Sequence, residues 1–194
     1  MNLQAEKLLK EEQEEIIRYG IARGKVILIS TLITIMLGWI LGVIWQSIIF
    51  WFILGILRKY AGGYHADTEK SCFSISFVIV LASLFCIKEV SIGVELGIAI
   101  QTFCLLAIFL RAPVENKNHI LDEDERREYG FRVKIIEIIL YFIYIFLSLF
   151  GNQGAVISLG MANFVVTLSL FAGYVKNRKE INKVKKRLAE ENCI

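Results

Sequence analysis

The chain has 194 residues, 56% of them hydrophobic, with a mean hydropathy of +0.57. Soluble globular domains are typically about 45 to 50% apolar, so this composition and its long apolar runs exclude a soluble fold. The formal net charge is only +3, and we expect no nucleic-acid partner.

The predicted elements are apolar helices separated by charged segments. A charged, amphipathic N-terminal segment, 1–25, precedes an apolar stretch, 26–57, and a polar loop, 58–71. Four more apolar runs, close to the roughly 17 to 25 residues that a membrane span needs, lie at 72–87, 92–110, 133–150 and 155–175. A basic tail, 176–194, carries an apolar stripe suited to a lipid surface. We predict a single-domain, all-α polytopic membrane protein with about six transmembrane helices and amphipathic terminal helices.

The first apolar stretch is too long for one straight span and too short for two ordinary ones. Its 32 residues would make a helix of roughly 48 Å, against a hydrocarbon core of about 30 Å. We place a tight hairpin near Gly38 to Gly42, which makes two short spans that need thinned lipid or packing against other helices. A single tilted span and a re-entrant hairpin are the alternatives.

Basic residues give an independent test, because Lys and Arg near span ends accumulate on the cytoplasmic side. With six spans, the cytoplasmic segments hold five basic residues before Val26, three in 58–70, six in 111–134 and seven after Val175. Only Lys88 lies outside them. We therefore expect both termini and the 58–71 loop to face the cytoplasm.

Polar groups within the spans are few. Glu95 and Glu137 fall near predicted span ends, and the middles carry only residues such as Thr34, Gln101 and Asn163. Ion-coupled transporters usually place ionisable residues near the membrane midplane. The pattern disfavours a transporter.

The 58–71 loop and the start of the next span contain the residues best suited to catalysis. His65, one of two histidines, lies seven residues before Cys72. An imidazole can take a thiol proton and return it to a leaving amine, and a helix start favours the thiolate. On one continuous helix the two residues would be roughly 10.5 Å apart along the axis. The chain must therefore turn back between them, and Gly62–Gly63 permits such a turn.

The loop resembles the signature of the AgrB family, the accessory gene regulator membrane proteases of Gram-positive bacteria. The resemblance rests on Arg58, on Ala61-Gly62-Gly63-Tyr64-His65 and on Cys72. The overall size, the span pattern and the Ala112-Pro113-Val114 step with Asn116-Lys117 are also similar. The resemblance covers essentially the whole chain.

The resemblance implies a thiol endopeptidase, a hydrolase in the bacterial cell membrane with its active site facing the cytoplasm. It would remove the C-terminal tail of an AgrD-like propeptide during maturation of a quorum-sensing autoinducing peptide. Cys72 would attack the scissile carbonyl, His65 would protonate the leaving amine, and a thioester would remain on Cys72. An internal Cys or Ser of the substrate would then capture the acyl group and close a thiolactone or lactone ring.

Other residues are weaker candidates for a role in this site. Arg58 either clamps a carboxylate of the substrate tail or anchors the span end, and Gly63 acts through its backbone. Asp67 or Glu69 either orients His65 or serves as a helix cap or solvated carboxylate. The family's charged loop corresponds loosely to a basic segment with Arg126, Arg127, Arg132 and Lys134, which is diluted here by Asp122, Glu123, Asp124, Glu125 and Glu128.

The remaining cysteines indicate neither a disulfide nor a metal site. Cys86 and Cys104 lie in apolar spans, where cysteine packs as a small hydrophobe, and Cys193 lies in the tail. With only His65 and His119 and no CxxC pair, we expect no zinc, and the reducing cytoplasm disfavours a disulfide. We expect no cofactor.

Two alternatives and one question of assembly remain open. A non-enzymatic membrane partner, such as a peptide exporter or a sensor subunit, would use His65 and Cys72 only for packing. A membrane acyltransferase using His65 would give Cys72 no necessary role. The short first spans would be easier to accommodate at a homodimer interface.

Overall fold

The computed structural model describes residues 3–64, 68–114, 122–151 and 153–191. These residues form six helices and no β-sheet. The predicted all-α membrane architecture is confirmed. The helices are α1 Leu3–Leu41, α2 Ile44–Ala61, α3 Glu69–Glu89, α4 Val94–Arg111, α5 Glu123–Leu149 and α6 Gln153–Glu191.

The surface of the bundle is suited to lipid. Four helices contain stretches long and apolar enough to cross a membrane, namely Gly24–Leu41, Ser71–Glu89, Val94–Arg111 and Gln153–Asn177. Large apolar side chains point outward, with Trp39 and Trp45 each 74% exposed and Leu110 83% exposed. Apolar patches on this scale are rare on soluble monomers and are favourable against hydrocarbon.

The predicted hairpin in the first apolar stretch lies between α1 and α2. Gly42 has φ +75°, a left-handed conformation that glycine adopts without steric cost. The Val43 amide donates to the Gly38 carbonyl at 2.7 Å and closes the turn. A β-carbon on Gly38 would collide with the Ser47 hydroxyl. Gly38 therefore allows the two helices to approach closely beside the turn.

The terminal segments continue the first and last helices instead of forming separate elements. The helices α1 and α6 each have 39 residues, which corresponds to about 58 Å. This length exceeds the hydrocarbon core of about 30 Å. Both helices therefore extend well beyond the membrane at the chain termini.

The core is centred on α6, which contacts α2, α3, α4 and α5. Its most extensive contact is with α2. The fully buried side chains of this core come from five helices: Phe50, Leu57, Leu84, Ile108, Val133, Leu159 and Leu170. Because α6 packs against α2 along much of its length, it also supports the chain that leaves α2 at its last residue, Ala61.

Helix directions alternate, so the connections fall at two ends of the bundle. The Gly62–Val114 bridge shows that the α2–α3 and α4–α5 connections meet at one end. The turn at Gly42 and the segments around Gly93 and Gly151 lie at the opposite end. We call these the loop end and the hairpin end.

Candidate active site

The chain leaves α2 through two glycines with positive φ. Gly62 has φ +74° and Gly63 has φ +133°, values that residues with a β-carbon rarely adopt. Gly62 is the C-cap of α2, and its amide makes the last hydrogen bond of the helix, to the Arg58 carbonyl at 3.2 Å. The turn predicted at Gly62–Gly63 is therefore present and redirects the backbone before His65.

The segment after α4 packs against this turn. The Val114 amide donates to the Ala61 carbonyl at 2.9 Å, and Gly62 and Val114 form an isolated parallel bridge. A β-carbon on Gly62 would collide with the Val114 carbonyl. The Ala112-Pro113-Val114 step, noted in the sequence only as a similarity, thus supports the loop directly.

Helix α6 supports the same loop from the other side. The Tyr64 amide donates to both the carbonyl and the hydroxyl of Ser169, at 2.9 and 3.1 Å. A β-carbon on Gly173 would lie 2.8 Å from the Gly63 carbonyl carbon and 3.0 Å from the Tyr64 nitrogen. The backbone before His65 therefore lies directly on α6, and only a glycine at position 173 allows this approach.

Arg58 connects the end of α2 to the loop. Its side chain is half-buried, and Nη2 donates to the Tyr64 carbonyl at 2.9 Å. Burial lowers the pKa of the guanidinium, and the nearby Cys72 thiolate raises it in part. Arg58 thus holds the residue before His65 through a hydrogen bond.

Cys72 lies in the first turn of α3. The helix begins after Thr68, whose hydroxyl accepts from the Ser71 amide at 3.2 Å, and the Cys72 amide donates to the Thr68 carbonyl at 2.9 Å. The Cys72 thiol is free and half-buried. Side chains on a helix tilt toward its N-terminus, so the thiol points toward the end at which the helix dipole favours a thiolate.

The predicted site residues fall into three groups. Arg58, Gly63 and Cys72 are at the loop end, with Arg58 bonded to the carbonyl of the residue after Gly63 and Cys72 in the first turn of α3. Glu69 is the first residue of α3. His65 and Asp67 lie outside the described residues, so the pairing of His65 with Cys72 stays a prediction.

The basic residues near the start of α5 are exposed, and two of them contact aromatic rings of other helices. Arg132 pairs with Glu128 and lies over the Tyr60 ring, 5.8 Å from its centroid. Tyr60 also packs edge-to-face on Tyr129, with ring centroids 5.8 Å apart. Lys134 lies over Phe109 at 6.0 Å. Two of the four basic residues in this segment, Arg132 and Lys134, therefore connect α5 to α2 and α4.

Cations also stack on aromatic rings close to the loop. The Arg111 guanidinium lies 4.9 Å from the Phe171 ring centroid and 4.6 Å from that of Tyr174. Lys176 lies over the ring of Tyr64 at 5.1 Å. Such contacts are typically worth about 0.5 to 1 kcal/mol at exposed sites. They connect α6 to the end of α4 and to the loop on either side of Gly173.

The other described cysteines lie away from this arrangement, because Cys86 is near the hairpin end of α3 and Cys104 is buried in α4. Within the described ranges, no group of three His, Cys, Asp or Glu residues could hold a metal ion.

Sequence reasoning missed the contribution of α6. Ser169 and Gly173 are small residues four positions apart in the last span, a spacing that puts both on one face of the helix. Pairs of this type allow close backbone approach in membrane helices. The spacing could therefore have indicated a contact on this face, although not that its partner is the loop.

Comparison with known proteins agrees with the resemblance in the loop. The family described as "Accessory gene regulator B" matches residues 1–173. "Putative AgrB-like protein 2" of Clostridium perfringens (strain 13 / Type A) is 30% identical over 164 residues, which cover 77% of each chain. A "Putative AgrB-like protein" of C. perfringens strain SM101 is 31% identical over 156 residues, 74% of this chain and 71% of the relative.

A third relative matches a shorter stretch. "Protein FsrB" of Enterococcus faecalis is 32% identical over 81 residues, 42% of this chain and 34% of the relative. No solved structure matches the chain.

Proposed function

The chain belongs to the accessory gene regulator B family, and from that premise we propose that it is a membrane cysteine endopeptidase that processes an AgrD-like precursor. The family places it in the accessory gene regulator quorum-sensing system. The proposal concerns the chemistry: cleavage of the precursor's C-terminal tail through a thioester on Cys72, followed by ring closure of the autoinducing peptide.

One observation carries the proposal. Cys72 lies in the first turn of α3, and Arg58 at the end of α2 binds the carbonyl of Tyr64, the residue before His65. Contacts with Ser169, Gly173 and Val114 fix the backbone that leads into His65. A nucleophile and a base act together only if both are held within reach, and this arrangement fixes the chain on both sides of the His65–Asp67 segment.

In the first step, His65 takes the Cys72 proton and the thiolate attacks the scissile carbonyl carbon. The tetrahedral intermediate then expels the amine of the tail, which takes the proton back from His65 as the carbon–nitrogen bond breaks. The N-terminal product remains on Cys72 as a thioester, and the tail leaves with a free amino group.

In the second step, an internal Cys or Ser of the bound product attacks the thioester carbonyl. His65 accepts its proton, the Cys72 thiolate leaves, and a thiolactone or lactone ring forms. Exchange of one thioester for another changes the free energy little, whereas hydrolysis would convert the reactive thioester to an unreactive carboxylate. A site at the membrane face that admits little water favours ring closure.

Arg58 is proposed to act as a positioning residue with a charge. Its guanidinium fixes the Tyr64 carbonyl through a charge-assisted hydrogen bond, and it keeps a positive charge at the loop end, where Cys72 reacts. This explanation differs from a carboxylate clamp on the substrate, because the described Arg58 contacts are made within the protein itself.

The loop end is proposed to face the cytoplasm, with both termini on the same side. The support is the distribution of basic residues, since Arg58, Lys59, Arg111 and the basic tail all belong to this end, while Lys88 lies near the hairpin end. The proposed partners besides the precursor are membrane lipid around the bundle and a second copy of the chain, which would pack beside the first two spans.

The proposal is tested by reconstitution. The purified chain in lipid nanodiscs, incubated with a synthetic AgrD-like precursor, should release the C-terminal tail as a separate peptide detected by mass spectrometry. Iodoacetamide should abolish release, and a metal chelator should leave it unchanged. Release that persists after complete thiol alkylation would contradict a cysteine mechanism, as would the absence of release by folded protein.

Replacing Arg58 should separate the effect of its positive charge from the effect of its hydrogen bond to the Tyr64 carbonyl. We expect Arg58→Met to lower the initial cleavage rate by about 100-fold and Arg58→Lys by about tenfold, since charge-assisted hydrogen bonds contribute about 1.5 to 3 kcal/mol. Lysine keeps the charge but not the fork that reaches the Tyr64 carbonyl. The exposed neighbour Lys59, changed to Met, is the control and should change the rate less than twofold. Equal rates for Arg58→Lys and wild type would show that the hydrogen bond to Tyr64 is dispensable.

A further inference from the structure

A large cavity in the described part of the bundle lies away from the Cys72 site, at the hairpin end. Its volume is about 530 Å³, within the range of small-molecule and peptide sites. The segment around Gly93 and the turn at Gly151 line its mouth, and α4, α5 and α6 form its walls. Since Cys72 lies at the other end of α3, nothing in the proposed cleavage uses this space.

One wall contains a polar side chain with unused hydrogen-bonding capacity. Gln101, midway along α4, is 1% exposed, and neither Oε1 nor Nε2 has a hydrogen-bond partner among the described residues. Gln101 is one of the residues that line the cavity. An unsatisfied amide within a membrane costs several kcal/mol. The cavity therefore favours an occupant that can satisfy it.

Further buried polar atoms without partners lie between α5 and α6, two of the helices that form the cavity walls. Asn163 of α6 donates through Nδ2 to Glu137 Oε1 of α5 at 3.0 Å. Glu137 Oε2 and Asn163 Oδ1 have no further partner within the described ranges. Ionisable and amide groups buried together inside a membrane bundle indicate a functional site more often than a packing accident.

We propose that this cavity binds a short apolar peptide, whose backbone amide pairs with Gln101. The rest of the lining is almost entirely apolar, including Phe103, Ile157 and Phe164, which suits apolar side chains. A peptide group offers one acceptor and one donor, matching both free atoms of the glutamine amide. A lipid acyl chain offers neither, and a lipid ester offers only an acceptor. The inference stands on the cavity and does not need Cys72 to be a nucleophile.

Photocrosslinking tests this site directly. The probe is the tripeptide amide acetyl-Leu-Phe-Leu-NH₂ with a diazirine leucine at its third position, incubated with the full chain in nanodiscs. Mass spectrometry should place the crosslinks on cavity residues such as Ile157 and Phe164. Gln101→Leu should reduce this labelling about tenfold or more, because two hydrogen bonds of about 1 kcal/mol each are lost. Gln153→Leu, at the exposed mouth of the same cavity, is the matched control and should change labelling less than twofold.

Two further arms use the unaltered protein. A probe with every backbone nitrogen methylated lacks the donor and should label at least about fivefold less. Excess oleate should not displace the unmethylated probe. Displacement by oleate, equal labelling of Gln101→Leu and wild type, or no cavity labelling would each overturn the proposal. Precursor cleavage by Gln101→Leu should equal that of wild type, which separates failure here from failure of the proposed peptidase.

Discussion

Cys72→Ala should abolish tail release from the precursor, lowering the rate by at least about 10³-fold, because removal of the nucleophile leaves no route to the thioester. The variant should otherwise resemble wild type. The thiol is half-buried in the first turn of α3, and alanine is the best helix former. The measurement is the initial rate of tail release in nanodiscs, followed by mass spectrometry.

The control is a second cysteine on the same helix. Cys86 is also free and half-buried, and it lies 14 residues further along α3, or about 21 Å. Cys86→Ala should retain at least half of the wild-type rate. If Cys72→Ala and Cys86→Ala were equally active, Cys72 would not be the nucleophile and the cysteine mechanism would be wrong.

Gly173→Ala should lower the cleavage rate by about 100-fold although the substitution lies in α6, far along the chain from Cys72. The added β-carbon would stand 2.8 Å from the Gly63 carbonyl carbon, so the loop must move by several tenths of an ångström or more. A displacement of about 1 Å in a catalytic constellation costs about 100-fold. The affected backbone leads directly into His65, and we therefore expect kcat to fall more than KM rises.

A second glycine controls for the general effect of alanine. Gly55 lies in α2 with no atom within 4 Å of its would-be β-carbon. Alanine in either helix gains up to about 1 kcal/mol of helix propensity, so both variants should remain folded, as judged by thermal unfolding in detergent. Gly55→Ala should cleave at the wild-type rate. A Gly173→Ala protein as active as Gly55→Ala would show that the contact with α6 does not position the loop.

The membrane architecture could be predicted because it depends on properties of single segments. The length of the apolar runs and the glycine pair at Gly38 and Gly42 are local features, and they were sufficient to predict an all-α membrane protein. The turn at Gly62–Gly63 and the position of Cys72 at a helix start could also be predicted, because both are features of adjacent residues.

The supports of the loop could not be predicted, because they come from distant parts of the chain. Ser169 and Gly173 lie more than 100 residues after Gly63, and nothing in either segment specifies the other. Contacts among the buried polar groups could not be predicted either. In the sequence, Gln101, Glu137 and Asn163 are each an isolated polar residue in or near a span, a pattern that disfavoured a transporter. Helix packing places an Asn163–Glu137 hydrogen bond between α5 and α6, and this depends on rotation angles that periodicity does not fix.

The most direct test of the central claim is the intact mass of the purified chain, quenched in acid within seconds of adding the precursor. We predict a mass increase equal to the N-terminal product of the precursor minus one water, located on Cys72 by peptide mapping and removed by neutral hydroxylamine as a thioester should be. An unmodified Cys72 throughout turnover, with the tail released at the normal rate, would contradict the covalent mechanism.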